Sequence, residues 1–286
     1  LIFLATTLVI ASGLTHAIWS LFTKRSQDKG VFLWCIMAVA TVLLLPKLII
    51  ELWTHPLSLS AYGLLLLSAA LQAVYALLLA KTYSMGDLSQ VYPIMRGTST
   101  LLIPVLGVLF LHETLSPWGW FGLLCMVSGF AALSGLLTNM RKGAASAAPL
   151  KPFLMALCVG LCTTSYVLVD KLNLAHISAV SLLEVTNIGF VAGLTPHLLR
   201  SGQLRTEWRL NRNIIMLGSI LNPGSYLLFL FALSYAPLAH ISPLREIGTF
   251  FATILGIVVL KEKQGTVRIV CSMLIVLGII SIGVLG

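Results

Sequence analysis

Long apolar runs, each closed by charges or by a Gly/Pro cluster, follow one another along the chain at roughly 1–22, 31–50, 60–81, 88–111, 116–137, 152–172, 177–199, 213–235, 239–260 and 267–285. Each is close to the roughly 20 residues a helix needs to cross a bilayer, so the pattern predicts an all-α integral membrane protein with ten transmembrane helices. The longest polar stretch between runs is TNMRKGAASAAPLK, residues 138–151, which is small, flexible and basic. It reads as a linker between two five-helix halves, 1–137 and 152–286. Asn222, Pro223 and Gly224 interrupt the eighth run and predict a broken helix there, with a carbonyl freed by the proline.

The halves resemble each other in order. GLTHAIWSLFTK, Gly13 to Lys24, overlays GLCTTSYVLVDK, Gly160 to Lys171, without a gap. Tyr75 falls on Tyr226 and Tyr83 on Tyr235; Pro93 in VYPIMRGT falls on Pro243 in ISPLREIGT; Glu113 in LGVLFLHE falls on Glu262 in LGIVVLKE. Five is odd, so a copy that follows a five-helix unit enters the bilayer upside down, and the repeats are predicted to be inverted. That geometry carries a pseudo-twofold axis in the membrane plane, with a site near the midplane where the halves meet.

Composition narrows the class further. Hydrophobic residues make up 58% of the 286 and charged residues 9%, against about 25% charged in a soluble domain. A peripheral protein, a nucleic-acid binder and a secreted disulfide scaffold are excluded. Cys35, Cys125, Cys158, Cys162 and Cys271 lie inside apolar runs without metal-ligand spacing and read as free thiols. The net charge of +9 reflects orientation: the odd-numbered connections hold fourteen Lys and Arg, including Lys24, Arg25, Lys81, Arg141, Lys142, Lys261, Lys263 and Arg268, and the even-numbered ones two, Lys47 and Lys171. By the positive-inside rule the odd side is expected in the cytoplasm and both termini outside. The chain starts at Leu1 and stops at Gly286 directly after an apolar run, so further polar ends are expected, and the first run is too long for a signal h-region.

The HAIW segment of the first helix resembles the drug/metabolite transporter superfamily in its ten-helix EamA-domain form. So do GDLSQVYPIMRGTSTLLIPVLGVLFLHETLSPWGWFGLLCMVSG across helices four and five, and SYAPLAHISPLREIGTFFATILGIVVLKEK in the second half. The resemblance covers essentially the whole chain. It implies two inverted halves and alternating access, usually for export of amino acids or other small metabolites, in a cell membrane. It also implies cytoplasmic termini, from which the charge count here departs.

Charges within hydrocarbon cost at least about 2.5–3.5 kcal/mol at a helix centre, which singles out Arg96, Glu184, Arg245 and Glu246. Arg96 and Arg245 follow the repeat-related Pro93 and Pro243 by three and two residues, so inverted symmetry brings both toward the centre. Spacings of three and four place Tyr92, Arg96, Ser99 and Thr100 on one face of helix four and Ser242, Glu246, Thr249 and Thr253 on one face of helix nine. Helix one offers His16 and Trp19, helix six Tyr166 and Asp170, helix three Gln72 and Tyr75. Arg96 or Arg245 is read as the receiver of a carboxylate or other oxyanion, whose shape the guanidinium fork matches. Trp19, Tyr75, Tyr92, Tyr166 and Tyr226 supply walls with polar tips. The alternative is that two arginines and two glutamates pair across helices with no ligand. His16, Glu184 and Glu246 are candidates for proton coupling or ion pairing. Asp87 reads as a helix N-cap, Glu113 and Glu262 as interfacial or hinge residues, and Trp118 and Trp120 as interfacial anchors.

A secondary transporter of small metabolites fits best. A flippase for lipid-linked sugars or headgroups on the same scaffold is the alternative, and calls for a lateral groove with basic residues near one interface. No HExxH, GxSxG or phosphate-binding loop is present, so an enzyme is not expected and energy comes from a gradient or a partner. The expected partners are a small-molecule substrate, the bilayer and protons, with no cofactor, metal or nucleic acid, and a monomer or weak homodimer.

Overall fold

A computed structural model describes residues 2–85, 88–134, 150–260 and 266–285. The helices are α1 (Ile2–Arg25), α2 (Lys29–Thr54), α3 (Leu59–Met85), α4 (Leu88–Phe110), α5 (Pro117–Leu133), α6 (Leu150–Asn173), α7 (Ala179–Ser201), α8 (Leu204–Tyr235), α9 (Leu238–Leu244), α10 (Ile247–Leu260) and α11 (Thr266–Ile280), the last running into a π-helical turn, Ser281–Leu285. Asp87, Arg141, Lys142, Lys261, Glu262 and Lys263 lie outside the described residues, as do the side chains of Lys24, Arg25, Tyr83, Thr253 and Arg268.

The predicted ten spans are present, in an all-α membrane protein. Seven of the described helices are long and apolar enough to cross a bilayer, from α1 to α4 and from α6 to α8, and α5 and the α11 segment are shorter apolar helices. The ninth span is α9 and α10 together, parted at Arg245 and Glu246. Local chemistry sets several ends. Asp28 accepts hydrogen bonds from the Gly30 and Val31 amides at 2.9 and 3.1 Å and starts α2. Ser116 caps α5 ahead of Pro117, and Gly202 at φ 62° stops α7 in the left-handed region that glycine favours. Outward-facing Phe3, Val42, Trp53, Leu66, Leu199 and Ile220 are exposed and form part of the lipid-facing surface.

Two expectations are corrected. The break expected at Asn222–Gly224 is absent: α8 runs through Pro223, and the non-helical residue inside it is Asn211. Transmembrane helices tolerate an interior proline where neighbouring helices hold the segment, and α1 is fastened two residues past Pro223: Ser12 donates to the Ser225 carbonyl at 2.6 Å and Ser225 donates to the Ser12 carbonyl at 3.0 Å. Lys47 and Lys171, assigned to even-numbered connections, sit inside α2 and α6.

Packing joins the halves rather than separating them. α1 lies on α8 and its counterpart α6 on α3; α4 lies on α6 and α10 on α1; α3 lies on α7 and α8 on α2; α2 meets α7, α5 meets α11 and α4 meets α9. Exchanging the halves reproduces this set of pairings. The matched glycines show what the repeat preserves. A Cβ on Gly13 would stand 2.9 Å from the Gly248 amide nitrogen, and one on Gly160 would stand 2.6 Å from Thr98 Cβ and 2.9 Å from the Met95 carbonyl oxygen. Both positions let the first helix of one half touch the backbone of the fourth helix of the other, the close approach small residues permit in membranes.

Candidate functional site

The central polar groups come from the crossing of α1, α3, α4, α6, α8 and the α9–α10 break. Arg96, on α4, meets Glu246 through both edges of its fork: Nε donates to Oε2 at 3.0 Å, and Nη2 stands 2.9 Å from Oε1. The two side chains are 17% and 6% exposed. Thr249 donates to the same Oε2 at 3.3 Å. The Arg96 guanidinium carbon also lies 5.9 Å from the centre of the Tyr92 ring.

Arg245 is held differently. Its guanidinium carbon lies 4.4 Å from the Phe229 ring centre and 5.2 Å from that of Tyr226, close enough for cation–π attraction. Its buried Nε has no hydrogen-bond partner among the described residues. The two arginines share one electrostatic neighbourhood with Tyr166, and His16 lies within reach of both. One arginine is thus paired with a carboxylate through two of its nitrogens, and the other rests on aromatic faces.

The expected aromatic wall is assembled as a chain of rings. Tyr75 and Tyr166 meet edge-on at 5.3 Å, Tyr166 and Tyr226 at 6.2 Å, and Tyr226 and Phe229 lie 5.8 Å apart. Trp19 packs edge-on against His16 at 4.9 Å, and its buried Nε1 has no hydrogen-bond partner among the described residues. Tyr75 also lies 6.1 Å from Phe190, where a cavity of about 360 Å³ begins. Ala76, Phe190 and Leu194 line its inner end; Gln27, Asp28, Lys29, His197 and Gln203 line its mouth on the odd-numbered side.

Asp28 has a second role at that mouth. Burial pushes its carboxyl up, but the His197 ring nitrogen at 3.0 Å and the Val31 and Gly30 amides more than offset this and hold it below its ordinary value of 3.8. Glu207, itself buried, ties in from α8 by accepting from the Asp28 amide at 3.3 Å and from Asn211 at 2.6 Å.

The even-numbered side is closed by polar contacts among helix ends. Glu113 accepts from the Leu238 and Ala239 amides, both at 2.7 Å, at the N-terminus of α9. Lys171 donates to the Leu233 and Ala236 carbonyls at 2.5 and 3.1 Å, and Asn173 to the Leu64 carbonyl at 3.2 Å. Glu51 accepts from the Ser178 amide at 2.8 Å and the Ser181 hydroxyl at 2.7 Å.

Several candidates are placed elsewhere. Ser99 is buried and donates within its own helix, to the Met95 and Arg96 carbonyls. Glu184 is fully buried on α7, with the Asn187 amide 3.5 Å from one oxygen and no partner for Oε1 among the described residues. The side chain absent from the central candidates is Asp170. It is fully buried, accepts from the Tyr226 hydroxyl at 2.5 Å, and accepts from the Ser68 hydroxyl. Its place four residues after Tyr166 on the polar stripe of helix six was the signal for it.

Comparison with known proteins agrees with this architecture. A solved crystal structure 14% identical in sequence superposes with a TM-score of 0.74 over 99% of each chain, which shows a shared fold. No curated protein sequence matches the chain. The EamA-like transporter family matches twice, over residues 3–135 and 150–284, one match to each five-helix half. This multi-pass membrane protein belongs to the EamA-like transporter family.

Proposed function

We propose that the protein is a secondary active exporter of small metabolites bearing an anionic group, amino acids or close relatives, working by alternating access around the central cavity. Arg245 receives the anionic group, and Arg96 serves as the fixed partner of Glu246. The observation that carries this reading is the contrast between them: a bidentate carboxylate on Arg96, and on Arg245 two aromatic faces and an unpartnered Nε. A buried cation without a counter-ion is costly, and a carboxylate from a substrate relieves that cost with paired hydrogen bonds. The packed rings of Tyr75, Tyr166 and Tyr226 run from Phe190 to Arg245 and offer faces to an apolar body and hydroxyls to a polar one.

Thermal stabilisation of the purified protein across a panel of amino acids and other small carboxylates tests the assignment. The ligand that stabilises the native protein is expected to lose its effect on Arg245→Leu and to lose most of it on Arg245→Lys, which keeps the charge and lacks the fork. An unchanged ligand-induced shift in folded Arg245→Leu refutes it. With the odd-numbered side in the cytoplasm, the cavity between Phe190 and His197 is the loading vestibule.

A further inference from the structure

We propose that Asp170 is a proton-binding site, and that taking up a proton there releases the even-numbered face of the protein. The inference stands on the position of this carboxyl in the closure, apart from which solute Arg245 receives.

The last turn of α6 fastens three helices at once. Asp170 holds α3 through Ser68 and α8 through Tyr226; one residue on, Lys171 holds the end of α8; one turn on, Asn173 holds α3 again. Both oxygens of Asp170 act as acceptors, one for each hydroxyl, the arrangement an ionised carboxylate requires. Among the described residues no ion pair to it is present, and Lys171, its neighbour, is committed to backbone carbonyls. The groups facing it are Ser68 and Tyr75 from α3, Tyr226 from α8 with Arg245 behind the Tyr226 ring, Arg96 from α4 beyond Tyr166, and Tyr166 and Lys171 on its own helix.

A proton arriving from water on either oxygen turns that oxygen from acceptor into donor. Ser68 or Tyr226 must then surrender its bond or reverse its hydroxyl so that it accepts where it had donated. The junction of α3, α6 and α8 is thereby weakened on the even-numbered side. The same event reaches the central site. Tyr226 is the residue that joins Asp170 to Arg245, through its hydroxyl on one side and its ring face on the other. When the Tyr226 hydroxyl loses its carboxylate partner, the ring that lies against Arg245 is freed to shift with it.

The test is hydrogen exchange of the turn after α6, residues 174–177, in the full chain in lipid nanodiscs, corrected for intrinsic rate, between about pH 5 and pH 9. One proton bound in the open form and not in the closed form gives exchange that rises about tenfold per pH unit as pH falls through the transition. Asp170→Asn is expected to exchange fast at all pH values with that slope gone. His176→Gln, which removes the exposed histidine of the turn, is expected to keep the slope. Where Asp170→Asn does not fold, Tyr226→Phe and Ser68→Ala answer the question. Each removes a donor to the ionised form and is expected to move the midpoint up by about one pH unit, about tenfold tighter proton binding. Arg245→Gln is expected to keep the pH-dependent opening while losing anion binding, so this inference and the preceding reading fail separately. Wild-type slope retained in Asp170→Asn, protection retained there at every pH, or an unmoved midpoint in Tyr226→Phe overturns the proposal.

Discussion

Truncating Arg96 and truncating Arg245 are nominally the same change, loss of one arginine from the bundle centre, yet opposite outcomes are expected. In Arg96→Leu the Glu246 carboxylate keeps the Thr249 hydroxyl at 3.3 Å and loses two charge-assisted bonds at 3.0 and 2.9 Å. With Glu246 only 6% exposed, breaking such a pair from one side costs about 3–5 kcal/mol. At roughly 2–4 °C per kcal/mol for a large domain, Tm is expected to fall by about 6–20 °C. Glu246→Leu strands the arginine and falls in the same range. The double variant Arg96→Leu/Glu246→Leu removes both charges and is expected to recover most of the loss, so the two single effects are far from additive. Arg245→Leu removes a cation that no carboxylate holds; lost contact with Phe229 and Tyr226 is offset by the desolvation no longer required, and Tm stays within about 3 °C of wild type. The assay is intrinsic-fluorescence unfolding in one detergent at one scan rate, since membrane-protein unfolding is scan-dependent. Equal losses in Arg96→Leu and Arg245→Leu, or a double variant as damaged as the sum of the singles, refute the reasoning.

Other expectations follow from local geometry. Gly160→Ala forces a methyl within 3 Å of Thr98 and of the Met95 carbonyl and is expected to cost about 1–3 kcal/mol, whereas Gly63→Ala, with nothing within 4 Å, is expected to be neutral or to gain up to about 1 kcal/mol; the two melting curves decide. Glu113→Ala leaves the Leu238 and Ala239 amides without their acceptor and is expected to lower stability by about 1–3 kcal/mol and to speed exchange of the first turn of α9. Because the Asp28 carboxyl is held below its ordinary 3.8, its contribution is fully present above that value and lost as pH falls through the lowered one. Acid titration of Tm is expected to show a step below about pH 4 that Asp28→Asn flattens, and Asp28→Ala is expected to cost about 1 kcal/mol at neutral pH; a step unchanged in Asp28→Asn assigns it to another carboxylate.

The spans were legible because bilayer length and apolar runs are the same constraint, and the repeat was legible because Gly13 and Gly160 each face a foreign backbone that admits no Cβ. Polar stripes put Tyr166, Arg96 and Glu246 on inward faces, and the repeat match to Tyr75 added Tyr226; the structure places Arg96 against Glu246 and Tyr166 against Tyr226. The pairing was not legible, since whether Glu246 turns to Arg96 or to its sequence neighbour Arg245 depends on where the ninth span breaks. That break was not legible either. The proline that looked like a helix breaker, Pro223, is accommodated beside α1, while the span containing Pro243 parts two residues later. Proline removes one donor and says nothing of what a neighbouring helix supplies. Glu113 carried no sequence sign of its function, because the amides it receives lie 125 and 126 residues away.

The unlike fourth and ninth spans bear on energetics as well as shape. A chain with identical inverted halves would own two conformations, exchanged by the twofold axis and equal in free energy, so it would face either side of the membrane half the time. Here α4 is continuous through Arg96 while its counterpart is parted at Arg245 and Glu246. The degeneracy is lifted, and each 1.4 kcal/mol of difference sets about a tenfold preference for one resting orientation. Substitutions that make the ninth span more like the fourth are therefore expected to redistribute the resting population, even where they leave every ligand contact in place.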